Sequence, residues 1–311
     1  MKPHPLLSFD NVTKTFRGGV KANDGVSFDV DHGTVVGLLG HNGAGKTTLL
    51  NHVIGLSKPT SGRITINGHD AIADPDHARQ LCSFQPQTQA PIDHITPRQA
   101  IEISAQLRGM ARRPAKKRAT ELLQHLELEQ WADKPGRKLS GGVKRLTLFC
   151  MTIANPTSLI MLDEPTNDVD PVRRRKLWEQ IRALADDGTA VLLVTHNVVE
   201  AEKAVERLVI MDEGRVIAQG TPASLRNGRD HQLRLELVAI DHDMAVELAQ
   251  KTTGTAAGVR VTAAIDIDDS ADSIAWAHKQ QKEGLIEEFS ISPVSLEDIY
   301  IDLSHSQPLD A

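Results

Sequence analysis

Gly40-His41-Asn42-Gly43-Ala44-Gly45-Lys46-Thr47 fits the pattern G-x4-G-K-[ST]. Its flanks decide how it is read. Thr34-Val35-Val36-Gly37-Leu38-Leu39 is an apolar run of strand length, and Thr47 to Gly55 has the character of a helix opening. Strand, glycine-rich loop and helix together make one βα unit. There the glycines let backbone N–H groups turn inward as an anion cradle at a helix N-terminus. Lys46 can reach the β- and γ-phosphates of a nucleotide, and the Thr47 hydroxyl can ligate Mg²⁺. A purely structural glycine turn would need neither flank. Further along, Leu159-Ile160-Met161-Leu162 and Val191-Leu192-Leu193-Val194 are continuous apolar runs separated by the helical segment Val172 to Asp186. Such runs belong to strands buried on both faces. Alternating β and α elements of this kind predict an α/β fold with a mainly parallel core sheet.

Composition narrows the function. The 311 residues suit about two domains. Lys and Arg number 35 against 41 Asp and Glu, a net charge of −6, which argues against nucleic-acid binding through bulk positive charge. Aromatics at 3 % leave little room for a base-stacking platform. Cys82 and Cys150 form no CxxC pair, so a disulfide framework and a cysteine-rich zinc site are excluded and both thiols read as buried. Met1 to Asp10 lacks the apolar stretch of a signal peptide, and no apolar run approaches the ~20 residues of a membrane span. The expected location is the cytosol, or the cytosolic face of a membrane through a partner.

The remaining segments fill in the organisation. Ser27-Phe28-Asp29-Val30 alternates as a half-buried strand, and Ser61 to Gly68 is a strand bounded by turn residues. From Thr96, a cap with Pro97 at the first helical position, the pattern is helical. Arg108 to Arg118 carries six basic residues and one proline and reads as a solvated turn and helix face. Ala119 to Leu128 is an amphipathic helix with Leu122, Leu123 and Leu126 on one stripe, and another helix runs from Leu139 to about Ala154. Leu208 to Met211 and Arg215 to Ala218 form a hairpin around Asp212-Glu213-Gly214. Beyond Asn227-Gly228-Arg229-Asp230 the pattern changes to a small α+β appendage.

Further motifs follow the glycine loop in a fixed order. Leu139-Ser140-Gly141-Gly142 precedes Leu159 to Leu162 and Asp163-Glu164-Pro165-Thr166, then come Asn167-Asp168-Val169-Asp170 and Thr195-His196. Over residues 6–225 this set resembles the ATPase subunit of an ABC (ATP-binding cassette) transporter. The resemblance implies a P-loop NTPase cassette with a parallel core sheet and an antiparallel N-terminal β subdomain. Residues 1–228 would form it, with a helical subdomain at about 88–155, and residues 229–311 an accessory α+β domain.

The resemblance also implies roles. Gly40, Asn42, Gly43, Ala44, Gly45, Lys46, Thr47 and Thr48 cradle ATP phosphates. Thr47, Asp163 and Gln87 hold Mg²⁺. Glu164 is the general base or water-orienting group, His196 contacts the γ-phosphate, and Lys46 and Gln87 complete the catalytic set. Gln85 and Gln89 are near neighbours of Gln87. Gln87 is favoured because Pro86 precedes it and its distance to Thr96 fits. Phe16 stands where the family stacks an aromatic on adenine, with a core aromatic as the alternative. Ser140, Gly141, Gly142 and Asp170 act across an interface with a second cassette, so the subunit is expected to pair, with a homodimer favoured and a heterodimer as the alternative. Val143 and Leu146 depart from the commoner signature and leave that contact less well defined.

Pro293-Val294-Ser295-Leu296-Glu297-Asp298-Ile299-Tyr300-Ile301-Asp302-Leu303 resembles the ending of the daunorubicin-resistance type of exporter ATPase, with Val294 an extra residue. An ordinary capped amphipathic helix is the alternative. The implied function is an exporter ATPase driving separate polytopic transmembrane subunits from the cytoplasmic face of the membrane, without nucleic acid. A soluble ABC ATPase, a regulatory switch and an importer ATPase are the alternatives.

Overall fold

The structure is a computed structural model and describes residues 4–196, 202, 204–226, 231–295, 298 and 299. The chain divides into two compact units, residues 1–221 and 222–311.

The first unit opens with strands β1 (Leu7–Thr15), β2 (Lys21–Val30) and β3 (Val35–Leu39), then helix α1 (Lys46–Val53). Strands β4 (Ser61–Ile66) and β5 (His69–Asp70), helix α2 (Pro75–Leu81) and strand β6 (Cys82–Gln85) follow. Next are helices α3 (Pro97–Leu107), α4 (Arg112–His125) and α5 (Gly141–Ile153). Strand β7 (Leu159–Asp163), helix α6 (Pro171–Asp186), β8 (Ala190–Thr195) and the hairpin β9 (Arg207–Asp212) and β10 (Arg215–Gly220) complete it. Its six-stranded sheet has the order β10-β9-β3-β8-β7-β6, parallel except at β10. Every residue of β3, β7 and β8 is buried, as their apolar runs require. An antiparallel sheet, β2-β1-β4-β5, packs Phe9, Phe28 and Ile64 into one core with Leu38, Leu49, Met161 and Leu192.

Local sequence explains most helix ends. Thr96 and Gln99 form a full capping box at α3, behind Pro97. Asp170 caps α6 by accepting from the Arg173 N–H. One expectation fails: the helix placed from Ala119 begins at Arg112. Pro114 sits in its first turn, where the backbone N–H groups have no intrahelical partner, so the missing proton costs no hydrogen bond. The basic run is also not wholly a wet face. Arg108 donates to the Cys82 carbonyl and Arg118 to the Ile153 carbonyl.

The second unit holds α7 (Pro222–Arg226), β11 (Gln232–Ala239), α8 (His242–Lys251), β12 (Thr255–Ala257), β13 (Arg260–Asp266), α9 (Ser270–Lys282) and β14 (Ile286–Pro293). Its sheet is antiparallel, ordered β12-β13-β11-β14, which with the βαββαβ chain order is a ferredoxin-like arrangement. Leu235, Leu237, Val261 and Ile286 pack with Ala245, Leu248 and Ala277 of the helices. Ser295 and Asp298 cap each other: the Asp298 N–H donates to Ser295 Oγ, and the Ser295 N–H and hydroxyl donate to Asp298 Oδ2. Leu296, Glu297 and Tyr300 to Leu303 of the terminal motif lie outside the described residues. No helix of the described residues is long and apolar enough to cross a membrane.

Candidate functional site

The register of the parallel strands gathers the site. Leu39 lies opposite Thr195, Asp163 opposite Val194 and Gln85 opposite Leu162. The loops after β3, β6, β7 and β8 therefore leave the sheet along one edge, the carboxyl edge where α/β sheets bind ligands. They carry Gly40 to Thr47, Pro86-Gln87, Glu164 and His196.

The glycine loop is tightly held. Gly45 has φ 96°, and a Cβ there would lie 2.0 Å from the Ala22 carbonyl oxygen, so no larger residue fits. Asn23, fully buried, donates to the Gly45 carbonyl at 3.2 Å. Lys46 Nζ donates to the carbonyls of Gly40 (2.6 Å) and His41 (2.9 Å), which uses two of its three protons. Burial pulls the Lys46 ammonium below its ordinary pKa, and the charges of Glu164 and Asp163 oppose this. His41 Nε2 lies 2.8 Å from Asp212 Oδ1 at the end of β9.

Two carboxylates face this loop. Asp163, the last residue of β7, accepts from the Thr47 hydroxyl at 3.0 Å. Burial raises its pKa and the Glu164 charge adds to that, against the Thr47 hydrogen bond and the cations Lys46 and Arg145. Glu164 is 3 % exposed and has φ 51°, an uncommon conformation for a non-glycine residue. Its N–H donates to the Val194 carbonyl, Oε1 lies 2.8 Å from His196 Nδ1, and Oε2 is buried without a partner.

A cleft of about 300 Å³ brings together Asn42, Gly43, Gly45, Lys46, Thr47, Thr48, Gln87, Asp163 and Glu164. A neighbouring cleft of about 600 Å³ shares Gln87 and adds Thr88, Arg145, Asn167, Asp168 and His196. Gly40 and Ala44 belong to the same loop but do not line the first cleft. Ser140, Gly141, Gly142, Asp170 and Phe16 line neither. Ser140 caps α5 by accepting from the Val143 N–H at 3.4 Å. A Cβ on Gly142 would lie 2.3 Å from the Asp168 carbonyl, so the signature helix packs on backbone there. Asp170 is engaged by the Arg173 N–H and guanidinium. Phe16 is 46 % exposed under Lys14 Nζ, 5.1 Å from its ring centroid, and is not a core aromatic.

Three residues lining the second cleft are given no role by the motifs. Arg145, 4 % exposed, donates to the carbonyls of Pro86 (3.1 Å) and Gln87 (2.5 Å) and so ties α5 to the loop after β6 that carries Gln87, the glutamine loop. Its sequence signal is an arginine on the buried side of a helix, flanked by Leu146 and Leu148. Asn167 and Asp168 follow Glu164 after Pro165 and Thr166, and Asp168 has φ 62°, the kind of turn that Asn and Asp tolerate.

The donor set suits one metal class. A single carboxylate, a hydroxyl and an amide are what Mg²⁺ takes when phosphate and water complete its shell. Among the described residues no group of three or more His, Cys, Asp and Glu could hold a metal unaided. The third proton of Lys46 and the unpartnered Glu164 Oε2 leave both charge signs available to a phosphate and a water.

Comparison with known proteins gives a consistent picture. Residues 23–167 match the family model described as ABC transporter. The chain is 37 % identical over 219 residues to the Nod factor export ATP-binding protein I of Burkholderia orbicola (strain AU 1054), covering 70 % of this chain and 72 % of that one. It is 31 % identical over 315 residues to the daunorubicin/doxorubicin resistance ATP-binding protein DrrA of Streptomyces peucetius, covering 97 % and 93 %. Among solved structures, an ATP-binding subunit of an ABC transporter superposes with a TM-score of 0.67 at 29 % identity, covering 72 % of this chain and 92 % of the other. A dimeric, post-hydrolysis ATP-binding cassette bound to ADP and Pi superposes with a TM-score of 0.63 at 28 % identity, covering 69 % and 98 %.

Proposed function

The chain belongs to the ABC transporter ATP-binding family, and from that premise we propose that it hydrolyses ATP in the Gly40–Thr47 cleft to drive an exporter. It is an ATP-binding subunit of a transporter with a P-loop ABC cassette fold. The observation that carries hydrolysis is the buried Glu164 carboxylate, oriented by His196 through one oxygen and free on the other. A carboxylate in that position takes a proton from, or orients, the attacking water.

Each remaining residue has a role in this reading. Backbone N–H groups from Gly40 to Thr48 and the Lys46 ammonium hold the phosphates. Thr47, Asp163 and Gln87 would hold Mg²⁺, which would supply charge neutralisation at the phosphate oxygens. His196 holds Glu164 and contacts the γ-phosphate. Phe16 presents its exposed ring to adenine. Ser140 and Gly142 at the start of α5 offer hydrogen-bond donors to the γ-phosphate bound by a second copy of the chain, and Asp170 lies at that interface.

Closure of the two cassettes would move the helical region at about residues 88–155 and pull on separate transmembrane subunits. A groove of about 850 Å³ beside the glutamine loop, lined by Phe84, Ser104, Leu107, Arg108 and Met151, has the size and mixed polarity to take a helix from such a subunit. The location that follows is the cytoplasmic face of a membrane, and residues 229–311 would be an accessory domain. Export is supported by relatives named for Nod factor export and daunorubicin resistance.

Glu164→Gln tests the chemistry. The variant binds ATP and loses on the order of 10²–10⁴-fold in turnover, the usual contribution of a general base; wild-type turnover would refute the assignment. Recovery of a polytopic membrane protein with the tagged chain tests the coupling, and recovery of the chain alone from the soluble fraction would refute it.

A further inference from the structure

The tip formed by the end of α3 and the start of α4 carries an amphipathic cationic patch that ATP chemistry does not use. Leu107, the last residue of α3, is 83 % exposed, and Ile103 one turn earlier is 46 % exposed. Residues at i and i+4 share a helix face. Four residues separate Leu107 from α4, whose first six residues include Arg112, Arg113, Lys116 and Lys117, all exposed. Among the described residues the side chains of Arg112, Arg113 and Lys116 make no hydrogen bond or ion pair, and that of Lys117 has only an exposed contact with Glu121 at 3.6 Å.

Helix stability does not account for this arrangement. Arg112 and Arg113 occupy the positive end of the helix dipole, no acidic residue is present in the first turn, and Ala111 provides no side-chain cap. The cations repel one another and the helix end, in a chain whose net charge is −6. An external polyanion relieves both repulsions.

We propose that this tip docks on an anionic lipid bilayer, with the Arg and Lys side chains among the headgroups and Leu107 at the acyl boundary. A bilayer supplies anionic phosphate and an apolar layer together, which is what the patch displays. A nucleic acid would leave Leu107 and Ile103 in water. The inference goes beyond the transporter role, and its test requires no transmembrane subunit. Leu107 also lines the groove assigned above to a helix from a transmembrane subunit, so the bilayer contact would flank that groove.

The test is co-sedimentation of the full chain with vesicles of phosphatidylglycerol mixed with phosphatidylcholine, and with phosphatidylcholine alone. Each exposed Lys or Arg near an anionic surface is worth about fivefold in binding. The triple variant Arg112→Gln, Arg113→Gln, Lys116→Gln therefore binds the anionic vesicles on the order of 100-fold more weakly. Its melting temperature and ATP turnover stay unchanged, because all three side chains are exposed and outside the nucleotide cleft. Leu107→Ser lowers binding several-fold with no change of charge, and high salt removes the preference for phosphatidylglycerol. Equal sedimentation with both vesicle types, or full retention by the triple variant, overturns the proposal. So does salt-sensitive binding to duplex DNA without binding to anionic vesicles.

Discussion

Replacing Arg145 with methionine should separate positioning of the glutamine loop from nucleotide binding. Arg145 is buried and donates to two successive carbonyls, Pro86 and Gln87. A hydrogen bond from a charged donor contributes about 1.5–3 kcal/mol, so the pair amounts to roughly 3–6 kcal/mol gross. Part of this is offset, because removing a buried cation removes its desolvation cost. That cost is the reason burial pulls the Arg145 pKa down against the attraction of Asp168, Asp163 and Glu164. A net loss of about 2–3 kcal/mol follows. In a unit of this size each kcal/mol lowers Tm by about 2–4 °C, so thermal unfolding should shift down by roughly 4–12 °C. The functional effect is larger than stability alone predicts. Gln87 lines the nucleotide cleft, and an error of about 1 Å in a positioned group costs up to ~100-fold in rate. Steady-state ATPase assays below the melting transition should show kcat reduced about 10–100-fold. KM for ATP should change by less than about threefold, since the cradle that binds phosphate does not touch Arg145. Arg145→Lys, which keeps the charge but loses the planar fork, should recover part of kcat. A lower Tm with kcat within twofold of wild type would make Arg145 a packing residue and refute the reasoning.

Three further outcomes follow from the same geometry. Gly45→Ala should abolish ATP binding by fluorescent-nucleotide titration, because the new Cβ meets the Ala22 carbonyl at a φ that alanine avoids; near-normal affinity would show that the loop can shift at little cost. Asp163→Asn should abolish Mg²⁺-dependent turnover yet raise the Tm of the nucleotide-free chain at pH 7–8. The folded-state pKa of Asp163 is raised above 3.8, so its contribution to stability is present below that value and lost as pH rises through the folded pKa; a lower Tm for the variant at pH 8 would contradict this. Phe16→Ala should raise KM for ATP with little change in kcat, since the ring lines neither phosphate cleft; an unchanged KM would remove Phe16 from the adenine site.

How much could be read in advance depended on how local the determining interaction is. β3, β7 and β8 were legible because both faces of each are buried, which forces unbroken apolar runs. β1 is not, because Asn11 at φ 49° breaks the alternation: Leu7 and Phe9 are buried two apart, and the next buried residue is Val12. β6 is four residues long and buries Ser83 and Gln85, so it has no apolar signature. α4 starts seven residues before the sequence reading places it and ends three residues earlier, because Pro114 and the basic cluster look like a break when only the sequence is considered. The glycine loop and the Asp-Glu pair were legible because each is a short contiguous motif beside a strand. Arg145 was not, because its partners lie 58 and 59 residues earlier and meet it only after β6 and α5 have packed.

The groups that crowd the nucleotide cleft each carry a cost to the fold. Burial disfavours the charged forms of both Lys46 and Asp163, Glu164 holds a left-handed backbone conformation, and its second carboxylate oxygen has no partner. These costs are only partly relieved inside the cleft: Lys46 donates to backbone carbonyls and not to either carboxylate, and among the described residues the Asp163 carboxylate accepts only from Thr47. The apolar sheet beneath sustains them, since each buried Leu, Ile or Val of β3, β7 and β8 contributes about 1.5–3 kcal/mol. A phosphate with its divalent ion supplies the missing partners at once, an anion for Lys46 and a cation for Asp163. Relief of these costs therefore appears in the affinity itself, and through the affinity in the stability of the liganded chain. At a free ligand concentration 100 times Kd the mass-action gain is about 2.7 kcal/mol. The residues least favourable to the fold are thus the ones through which nucleotide binding can reshape it.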